Sequence, residues 1–272
     1  MDKIQSAIKI IKIASENAKI FDEPVELAYS GGKDSDVLLR LAQMSGIDFK
    51  PIYRNTTIDP PGTIQHVRSN NVEVCKPKLG FFQLIEKKGL PSLFRRFCCQ
   101  HLKEVKLLNT CLTGVRIEES VKRKQRYKTF NYCKGTGKNK VNMFMPIWDW
   151  SLQDVTNFIK NENIQLAPHY YRLDGSINFK KRLGCMACPL QSDRGLGEFK
   201  RNPAILHGYI RSLKKYYQTH ALKFFQSVYD VFVCSYFFKN VADFELSTSE
   251  GFFGKDFNSK EFLQNYFKTA IP

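Results

Sequence analysis

Residues 29–36 combine two adjacent glycines with a lysine, two serines and two aspartates, in the order Tyr-Ser-Gly-Gly-Lys-Asp-Ser-Asp. An apolar run, residues 25–29, leads into them, and a run with helical character follows from Asp36. A strand that breaks at two glycines and continues as a helix leaves backbone N–H groups pointing at an open corner. There the helix N-terminus adds partial positive charge and Lys33 adds a full one. The pattern predicts a phosphate-binding loop, with an ordinary glycine turn as the alternative.

The order of these residues differs from two common nucleotide-binding patterns. The sequence contains neither G-x-x-x-x-G-K-[ST] nor the spaced glycines of a dinucleotide-binding fingerprint. The string Ser-Gly-Gly-Lys-Asp-Ser instead resembles the PP-loop of enzymes that split ATP between its α- and β-phosphates, or that bind adenylyl sulfate in the related reductases.

Four of the eight cysteines form two close pairs. Cys98 and Cys99 are adjacent, and Cys185 and Cys188 form a C-x-x-C motif. If the pairs meet in space, four thiolates suit either Zn²⁺ or a [4Fe–4S] cluster. Adjacent cysteines reach two irons of a cluster more easily than they chelate one zinc ion, so the cluster is favoured. Zinc and unliganded thiols remain the alternatives.

Apolar periodicity predicts the elements that position these residues. The predicted strands cover residues 25–29, 49–53, 72–75 and 111–115. The predicted helices cover residues 4–19, the run from the loop to about Gly46, then 61–70, 81–88 and 99–108, and one that Ser151 caps. Strands that alternate with helices predict an α/β fold, a parallel sheet sandwiched by helices.

The second half of the sequence has a different character. Residues 122–142 are polar and predict a mobile basic loop, with lysines at positions 122, 124, 128, 134, 138 and 140. Beyond Pro189 the pattern predicts a helical C-terminal region, in which the aromatic residues of 209–238 form a core rather than a base-stacking platform. We therefore expect one domain over residues 1–190, which carries the paired cysteines, and a helical region over 191–272.

Composition narrows the class of protein and its partners. The 272 residues are 43% apolar and 13% aromatic, which suits a packed core. No apolar run approaches the roughly 20 residues that a membrane span requires. The N-terminus has no secretory-signal pattern, so we expect a cytoplasmic protein without a membrane partner. The net charge of +16 favours a polyanionic partner, DNA or RNA, with a merely basic surface as the alternative.

An ordered set of motifs over about residues 25–190 resembles the phosphoadenylyl-sulfate reductase superfamily, within the PP-loop, adenine-nucleotide α-hydrolase-like fold. The motifs are Ser30-Gly31-Gly32-Lys33-Asp34-Ser35, Asn55-Thr56-Thr57-Ile58-Asp59, Cys98-Cys99-Gln100-His101-Leu102-Lys103, Thr113-Gly114-Val115-Arg116, Glu119-Ser120, Arg123, Pro146-Ile147-Trp148-Asp149-Trp150 and Arg182-Leu183-Gly184-Cys185-Met186-Ala187-Cys188-Pro189. Two branches of this superfamily must be distinguished. The adenylyl-sulfate reductases attack sulfate with a cysteine in a Glu-Cys-Gly-type tail, and this sequence has no cysteine after Cys234. The sequence looks closer to the cluster-containing sulfur-inserting subunit of DNA phosphorothioation systems and related phage proteins.

The resemblance implies roles for individual residues. Adenine nucleotide would be bound by Ser30, Gly31, Gly32, Lys33, Asp34, Ser35, Thr57, Asp59, Gly114, Arg116, Ser120 and Arg123. The residues expected to act in catalysis are Lys33, Asp34, Asp36 and Arg116. Asp34 or Asp36 would hold Mg²⁺, and Arg116 and Arg123 would contact the substrate anion. The cluster would be held by Cys98, Cys99, Cys185 and Cys188.

The leading hypothesis is ATP-dependent activation of a nucleic acid, with release of pyrophosphate, followed by sulfur insertion at a [4Fe–4S] cluster. A sulfur-donor protein, such as a desulfurase or thiol donor, would be a further partner. The first alternative is a reductase of adenylyl sulfate or phosphoadenylyl sulfate that uses an external thiol. The second is a nucleotide-gated nucleic-acid-binding defence component that binds ATP without turnover.

Overall fold

The computed structural model describes residues 2–127, 129–134, 140–249 and 257–272. The helices are α1 (Lys3–Lys19), α2 (Lys33–Ser45), α3 (Thr63–Ser69), α4 (Phe81–Lys88), α5 (Phe97–Leu102), α6 (Val121–Arg126), α7 (Leu152–Asn161), α8 (Leu196–Arg201), α9 (Pro203–Gln218), α10 (Val228–Phe237), α11 (Val241–Ser249) and α12 (Ser259–Phe267). The strands are β1 (Val25–Tyr29), β2 (Phe49–Arg54), β3 (Glu73–Cys75), β4 (Thr110–Thr113), β5 (Asn131–Lys134) and β6 (Val141–Phe144). No helix in these described ranges is long and apolar enough to cross a membrane.

The chain divides into two compact units. The first contains Met1–Asn55, Asp59–Lys76 and Glu104–Gly184, and the second contains Thr56–Ile58, Pro77–Lys103 and Cys185–Pro272. This division differs from the predicted boundary at residue 190, which stays a prediction. It differs because both cysteine-bearing segments make their contacts with the C-terminal helices.

The first unit contains a six-stranded sheet with the strand order β3-β2-β1-β4-β6-β5. All neighbouring strands are parallel except β5, which pairs antiparallel with β6. At the centre, Leu27 of β1 is in register with Pro51 of β2 and Leu112 of β4. The predicted α/β fold with a mainly parallel sheet is confirmed.

The core of the first unit forms where α1 and α2 pack on the sheet. Ala7, Ile11, Ala14 and Ala18 of α1 are buried, at the helical spacing that the sequence predicted. In α2 the apolar residues 37–39, 41 and 42 are buried as well. Gly46 caps the C-terminus of the helix in a left-handed conformation, with a φ of 68°. This conformation favours glycine, which has no side chain.

The second unit is helical, and aromatic residues fill its core. Phe199, Tyr209 and Phe232 are fully buried, and Tyr236 is 3% exposed. Gly208 lets Phe82 approach closely, because a Cβ at this position would lie 2.5 Å from the Phe82 ring. The prediction that the aromatics of residues 209–238 form core is therefore confirmed for Tyr209, Phe232 and Tyr236, whereas Phe224 is 69% exposed.

Two sequence predictions about local structure were wrong. Residues 122–142 are not simply a loop, because α6, β5 and the start of β6 lie in this segment; Ser120 caps α6, and β5 gains its hydrogen bonds from β6. Lysine-rich composition conceals such a paired edge strand. Lys128 and Lys138 lie outside the described residues. The helix predicted over 99–108 is α5, which begins at Phe97 and ends at Leu102.

Candidate functional site

The predicted phosphate loop forms the turn between β1 and α2. Gly31 has a φ of 75°, in the left-handed region that favours glycine. A Cβ there would also lie 3.1 Å from Thr63 and 3.3 Å from Leu183. Gly32 is the N-cap of α2 and has extended backbone. Conformation and close packing together therefore require glycine at position 31.

A cavity of about 260 Å³ lies beside this loop. It is lined by residues that end or follow β1 and β4, the strands between which the strand order changes direction. Open α/β sheets bind their ligands at this position. The predicted nucleotide-binding residues that line the cavity are Ser30, Gly32, Lys33, Asp34, Ser35, Gly114 and Arg123. The position and the lining together make it the candidate nucleotide site.

Asp34 lies between two cations. Its Oδ2 is 3.2 Å from Lys33 Nζ and its Oδ1 is 2.7 Å from Arg116 Nε. The Arg116 side chain, which is 4% exposed, also pairs with Glu118. Burial lowers the pKa of Lys33, and the Asp34 carboxylate opposes that shift. Gly114 supports this arrangement, because a Cβ on it would lie 3.0 Å from the Asp34 backbone. The geometry lets Arg116 orient Asp34.

Asp36 has a different environment from Asp34. Tyr29 donates its hydroxyl proton to Asp36 Oδ1, and His66 Nε2 lies 3.0 Å from the same oxygen. The other carboxylate oxygen is buried, without a hydrogen-bond partner among the described residues. Burial raises the pKa of Asp36, which is 3% exposed. In the described part of the chain, Asp34 lines the cavity and Asp36 does not.

Two arginines at the cavity share one carboxylate. Arg123 and Arg182 both pair with Glu119, the latter through Nη2 and Oε1 at 2.7 Å. All three residues line the cavity. Burial, followed by the Arg182 charge, lowers the pKa of Arg123. Ser120 is the N-cap of α6, and its hydroxyl accepts the Arg123 backbone N–H at 3.2 Å. Glu119 thus holds two guanidinium groups together at the cavity.

In the described part of the chain, five of the twelve predicted nucleotide-binding residues do not line the cavity: Gly31, Thr57, Asp59, Arg116 and Ser120. Thr57 belongs to the second unit, where its hydroxyl accepts the Phe81 backbone N–H at 2.8 Å at the start of α4. Asp59 belongs to the first unit, and its carboxylate accepts the Tyr53 hydroxyl proton. In the described ranges neither residue lines the 260 Å³ cavity.

The sequence prediction missed Tyr170 as a cavity residue. Tyr170 lies in a short 3₁₀ turn, Pro168–Tyr170, and its hydroxyl accepts the Lys33 backbone N–H at 3.0 Å. The two residues are 137 positions apart in the chain. An aromatic residue after a proline carries no local signal for such a contact, so only the folded chain reveals it.

The two cysteine pairs lie in the second unit. Cys98 and Cys99 belong to α5, and all four thiols of the pairs are half-buried. The Cys185–Cys188 turn is held by its backbone: Met186 N–H donates to Ile58 O at 2.8 Å, and Tyr209 O–H donates to Ala187 O at 3.0 Å. Two hydrogen bonds from other segments of the second unit therefore hold the backbone of the C-x-x-C turn in place.

The thiols of the two pairs influence one another electrostatically. A hydrogen bond from the Cys98 thiol to the Cys99 thiolate raises the pKa of Cys98 and lowers that of Cys99. Burial raises the pKa of Cys188, and the Cys185 and Cys99 charges add to that shift. Arg96 and Lys103 favour the Cys99 thiolate. Within the described ranges, no three His, Cys, Asp or Glu side chains stand close enough together to hold a metal ion as they are. The donor chemistry, four half-buried thiols with basic neighbours, nevertheless suits a metal cluster.

Residues 24–191 match the phosphoadenosine phosphosulfate reductase domain family. The chain belongs to this family, which accounts for its PP-loop motif and its mainly parallel sheet.

Two uncharacterised proteins of Methanocaldococcus jannaschii are similar to the chain along much of its length. One is 30% identical over 200 residues, which are 68% of this chain and 46% of the relative. The other is 26% identical over 237 residues, which are 80% of this chain and 46% of the relative. The chain spans about half the length of the curated relatives it matches.

Solved structures with some similarity include three kinds of protein. Phosphoadenylyl-sulfate reductase from Candida auris, in a phosphate complex, has 17% identity and a TM-score of 0.43, over 64% of this chain and 87% of that one. FMN adenylyltransferase from Candida glabrata has 13% identity and a TM-score of 0.41, over 65% and 60%. The U34-tRNA thiolase from Methanococcus maripaludis with its [4Fe-4S] cluster has 13% identity and a TM-score of 0.38, over 79% of each chain. Similarity at this level says nothing about the substrate of this chain.

Proposed function

We propose that this protein is an ATP-dependent sulfur-transfer enzyme that acts on a nucleic acid. An oxygen of the acceptor attacks the α-phosphorus of ATP, the bond to the bridging oxygen breaks, and pyrophosphate leaves. A sulfide ion then attacks in its place, the bond to the adenylylated oxygen breaks, and AMP leaves carrying that oxygen. The observation that carries the proposal is the cavity at the Ser30–Ser35 loop, whose walls combine phosphate-binding groups with Asp34 and two arginines.

The loop supplies the groups that a triphosphate requires. Ser30, Lys33 and Ser35 line the cavity, and the N-terminus of α2 adds its partial positive charge. Lys33 is 3% exposed, so its charge acts in a medium of lower dielectric than water. A buried cation beside the scissile bond would offset the charge that builds up on departing pyrophosphate.

Asp34 is our candidate ligand for Mg²⁺. It lines the cavity, whereas the Asp36 carboxylate hydrogen-bonds with Tyr29 and His66. Arg116 restrains Asp34 through a 2.7 Å ion pair, so the carboxylate is oriented before a ligand arrives. A carboxylate and phosphate oxygens are the ligands that Mg²⁺ usually takes beside its waters.

Exposed basic side chains near Arg123 support a nucleic-acid acceptor. Lys122, Lys124 and Arg126 of α6 are exposed. Lys180 and Lys181 are also exposed, next to the Arg182 that shares Glu119 with Arg123. Phosphate contacts of this kind position a nucleic acid without reading its sequence. These exposed basic side chains would contact the phosphates of the nucleic acid.

Cys98, Cys99, Cys185 and Cys188 would hold a [4Fe–4S] cluster, with Zn²⁺ as the alternative. Bound there, the cluster would supply the sulfur-transfer chemistry. Arg96 and Lys103 would offset its negative charge, as they already favour the Cys99 thiolate.

The first test is a pyrophosphate assay. Anaerobic protein would receive ATP, Mg²⁺, sulfide and either DNA or RNA, and released pyrophosphate and AMP would be measured. We expect nucleic-acid-dependent release, and about a 100-fold lower rate for Lys33→Met because the buried cation is lost. Lys9→Met, which removes an exposed lysine of α1, should leave the rate unchanged. Absence of pyrophosphate with every nucleic acid, together with consumption of adenylyl sulfate, would contradict the proposal.

Sulfonucleotide reduction is the second candidate, because the chain belongs to a family named for that reaction. In this candidate reaction the thiol would come from another molecule, and Cys234 would not supply it because it is buried in α10. Much tighter binding of adenylyl sulfate or phosphoadenylyl sulfate than of ATP would favour it.

A further inference from the structure

Tyr170 is a buried residue of the nucleotide cavity to which the proposed function gives no role. It is 1% exposed and lines the cavity together with Gly32, Lys33 and Leu183. Its hydroxyl lies at the N-terminus of α2, because a Cβ on Gly32 would stand 3.3 Å from it. The hydroxyl thus occupies the place where this fold offers positive charge to an anion.

Three backbone N–H groups of the loop already have acceptors within the protein. Gly32 N–H donates to the Ser30 hydroxyl at 3.3 Å, and Ser35 N–H donates to Gly32 O at 2.8 Å. Lys33 N–H donates to the Tyr170 hydroxyl at 3.0 Å. These three N–H groups therefore do not donate to a phosphate at this corner. Side-chain donors have to take their place.

The Tyr170 hydroxyl accepts hydrogen bonds, but its own proton has no acceptor in the described residues. The hydroxyl oxygen accepts from the Lys33 backbone N–H, and the Leu183 backbone N–H also hydrogen-bonds to it. Among the residues that the structure describes, none accepts a hydrogen bond from this hydroxyl, although Tyr170 is buried. Burial raises its pKa to about 12, so the proton stays on the oxygen at neutral pH. A buried donor of this kind usually has a partner, and the cavity is where that partner can bind.

We propose that Tyr170 is a phosphate ligand, which accepts the Lys33 N–H and donates its own proton to a phosphate oxygen of the bound nucleotide. It thereby extends the N-terminus of α2 by one hydrogen bond. The bond from Lys33 polarises the hydroxyl and strengthens its donation to an anion. The identity of the nucleotide rests on the proposed function, whereas the role of Tyr170 requires only that a phosphate binds at this corner.

The test compares ATP with adenosine, which lacks the phosphates, in equilibrium binding to the full chain. For Tyr170→Phe we expect about tenfold or more weaker ATP binding, as for a hydrogen bond to a charged group, with adenosine binding changed by less than about twofold. Tyr171→Phe is the matched control. Its hydroxyl contacts Leu166 N and Gln165, and within the described ranges it does not line this cavity. It should bind both ligands like the wild type.

Equal ATP affinity of Tyr170→Phe and wild type would overturn the role of Tyr170. So would an equal loss for ATP and adenosine, which would indicate a distorted pocket. If Tyr170→Phe does not fold, 3-fluorotyrosine at position 170 preserves the shape of the side chain. Its ¹⁹F resonance should shift with ATP and not with adenosine, and a resonance that does not respond to ATP would contradict the inference. Wild-type protein that binds ATP but releases no pyrophosphate would defeat the proposed function and leave Tyr170 untouched.

Discussion

Cys98 and Cys99 are neighbours with opposite acid–base properties. The hydrogen bond between them keeps the proton on Cys98, while Arg96 and Lys103 favour the thiolate of Cys99. Basic side chains beside a cysteine favour its thiolate, which is the reactive form, so they do not suit a thiol that only packs in a core. It suits cysteines that ligate a metal, which must lose their protons.

The metal-centre proposal is tested by removing one thiol. We expect Cys98→Ala to lose most of the iron, the sulfide and the visible absorption of anaerobically purified protein, because a cluster with three protein ligands is held less tightly. Iron, sulfide and zinc would be measured on the same samples.

Cys133→Ala is the control for this experiment. Cys133 is exposed on β5 in the first unit, so its loss should leave the metal content unchanged. Stoichiometric zinc without sulfide in the wild type would identify a zinc centre, and equal iron in Cys98→Ala and wild type would exclude Cys98 as a ligand.

Individual elements differ in how much of their structure the sequence could predict. β1, α2 and α4 could be located because apolar spacing and glycines mark their bounds. The Lys33–Asp34 position followed from the loop motif, since it depends on neighbours in sequence. Two contacts at the site join segments that are distant in sequence: Glu119 pairs with Arg182, and the Tyr170 hydroxyl accepts from the first turn of α2. No local sequence pattern predicts either contact. The edge strand β5 failed for a related reason, because its hydrogen bonds come from β6.

Helix α7 allows a test at the scale of one element. The Ser151 hydroxyl accepts the Asp154 N–H at 3.1 Å, and Asp154 accepts the Ser151 N–H at 2.7 Å, which is a capping box. Ser151→Ala should lower the free energy of unfolding by about 1 kcal/mol, because it removes the N-cap. Urea unfolding followed by circular dichroism would measure it. Gln153→Ala, at an exposed position of the same helix, should change stability by less than about 0.5 kcal/mol. Equal stability of both variants would show that the cap contributes nothing.

For the whole molecule, the net charge of +16 is the property that bears most directly on a nucleic-acid partner. If Lys122 and Lys124 bind phosphates, the double variant Lys122→Ala/Lys124→Ala should bind DNA or RNA more weakly. The slope of log affinity against log salt should also become shallower, by about 1 for each phosphate that the variant no longer neutralises. Fluorescence anisotropy at several salt concentrations would measure both quantities.

The control for the charge experiment removes the same net charge elsewhere. Lys9→Ala/Lys12→Ala changes two exposed lysines of α1, and we expect it to keep the salt slope of the wild type. Identical slopes for the two double variants would mean that α6 makes no special contribution and that the charge acts only through the overall field.

The way the chain passes between its two units restricts how this protein can be rebuilt. Each unit is assembled from three separate stretches of sequence. A fragment cut at residue 190 would keep Cys185 and Cys188 but lose α9, whose Tyr209 donates to the turn between them. Neither unit can therefore be expressed as one continuous segment of the sequence. Exchange of one unit would have to move all three of its stretches together.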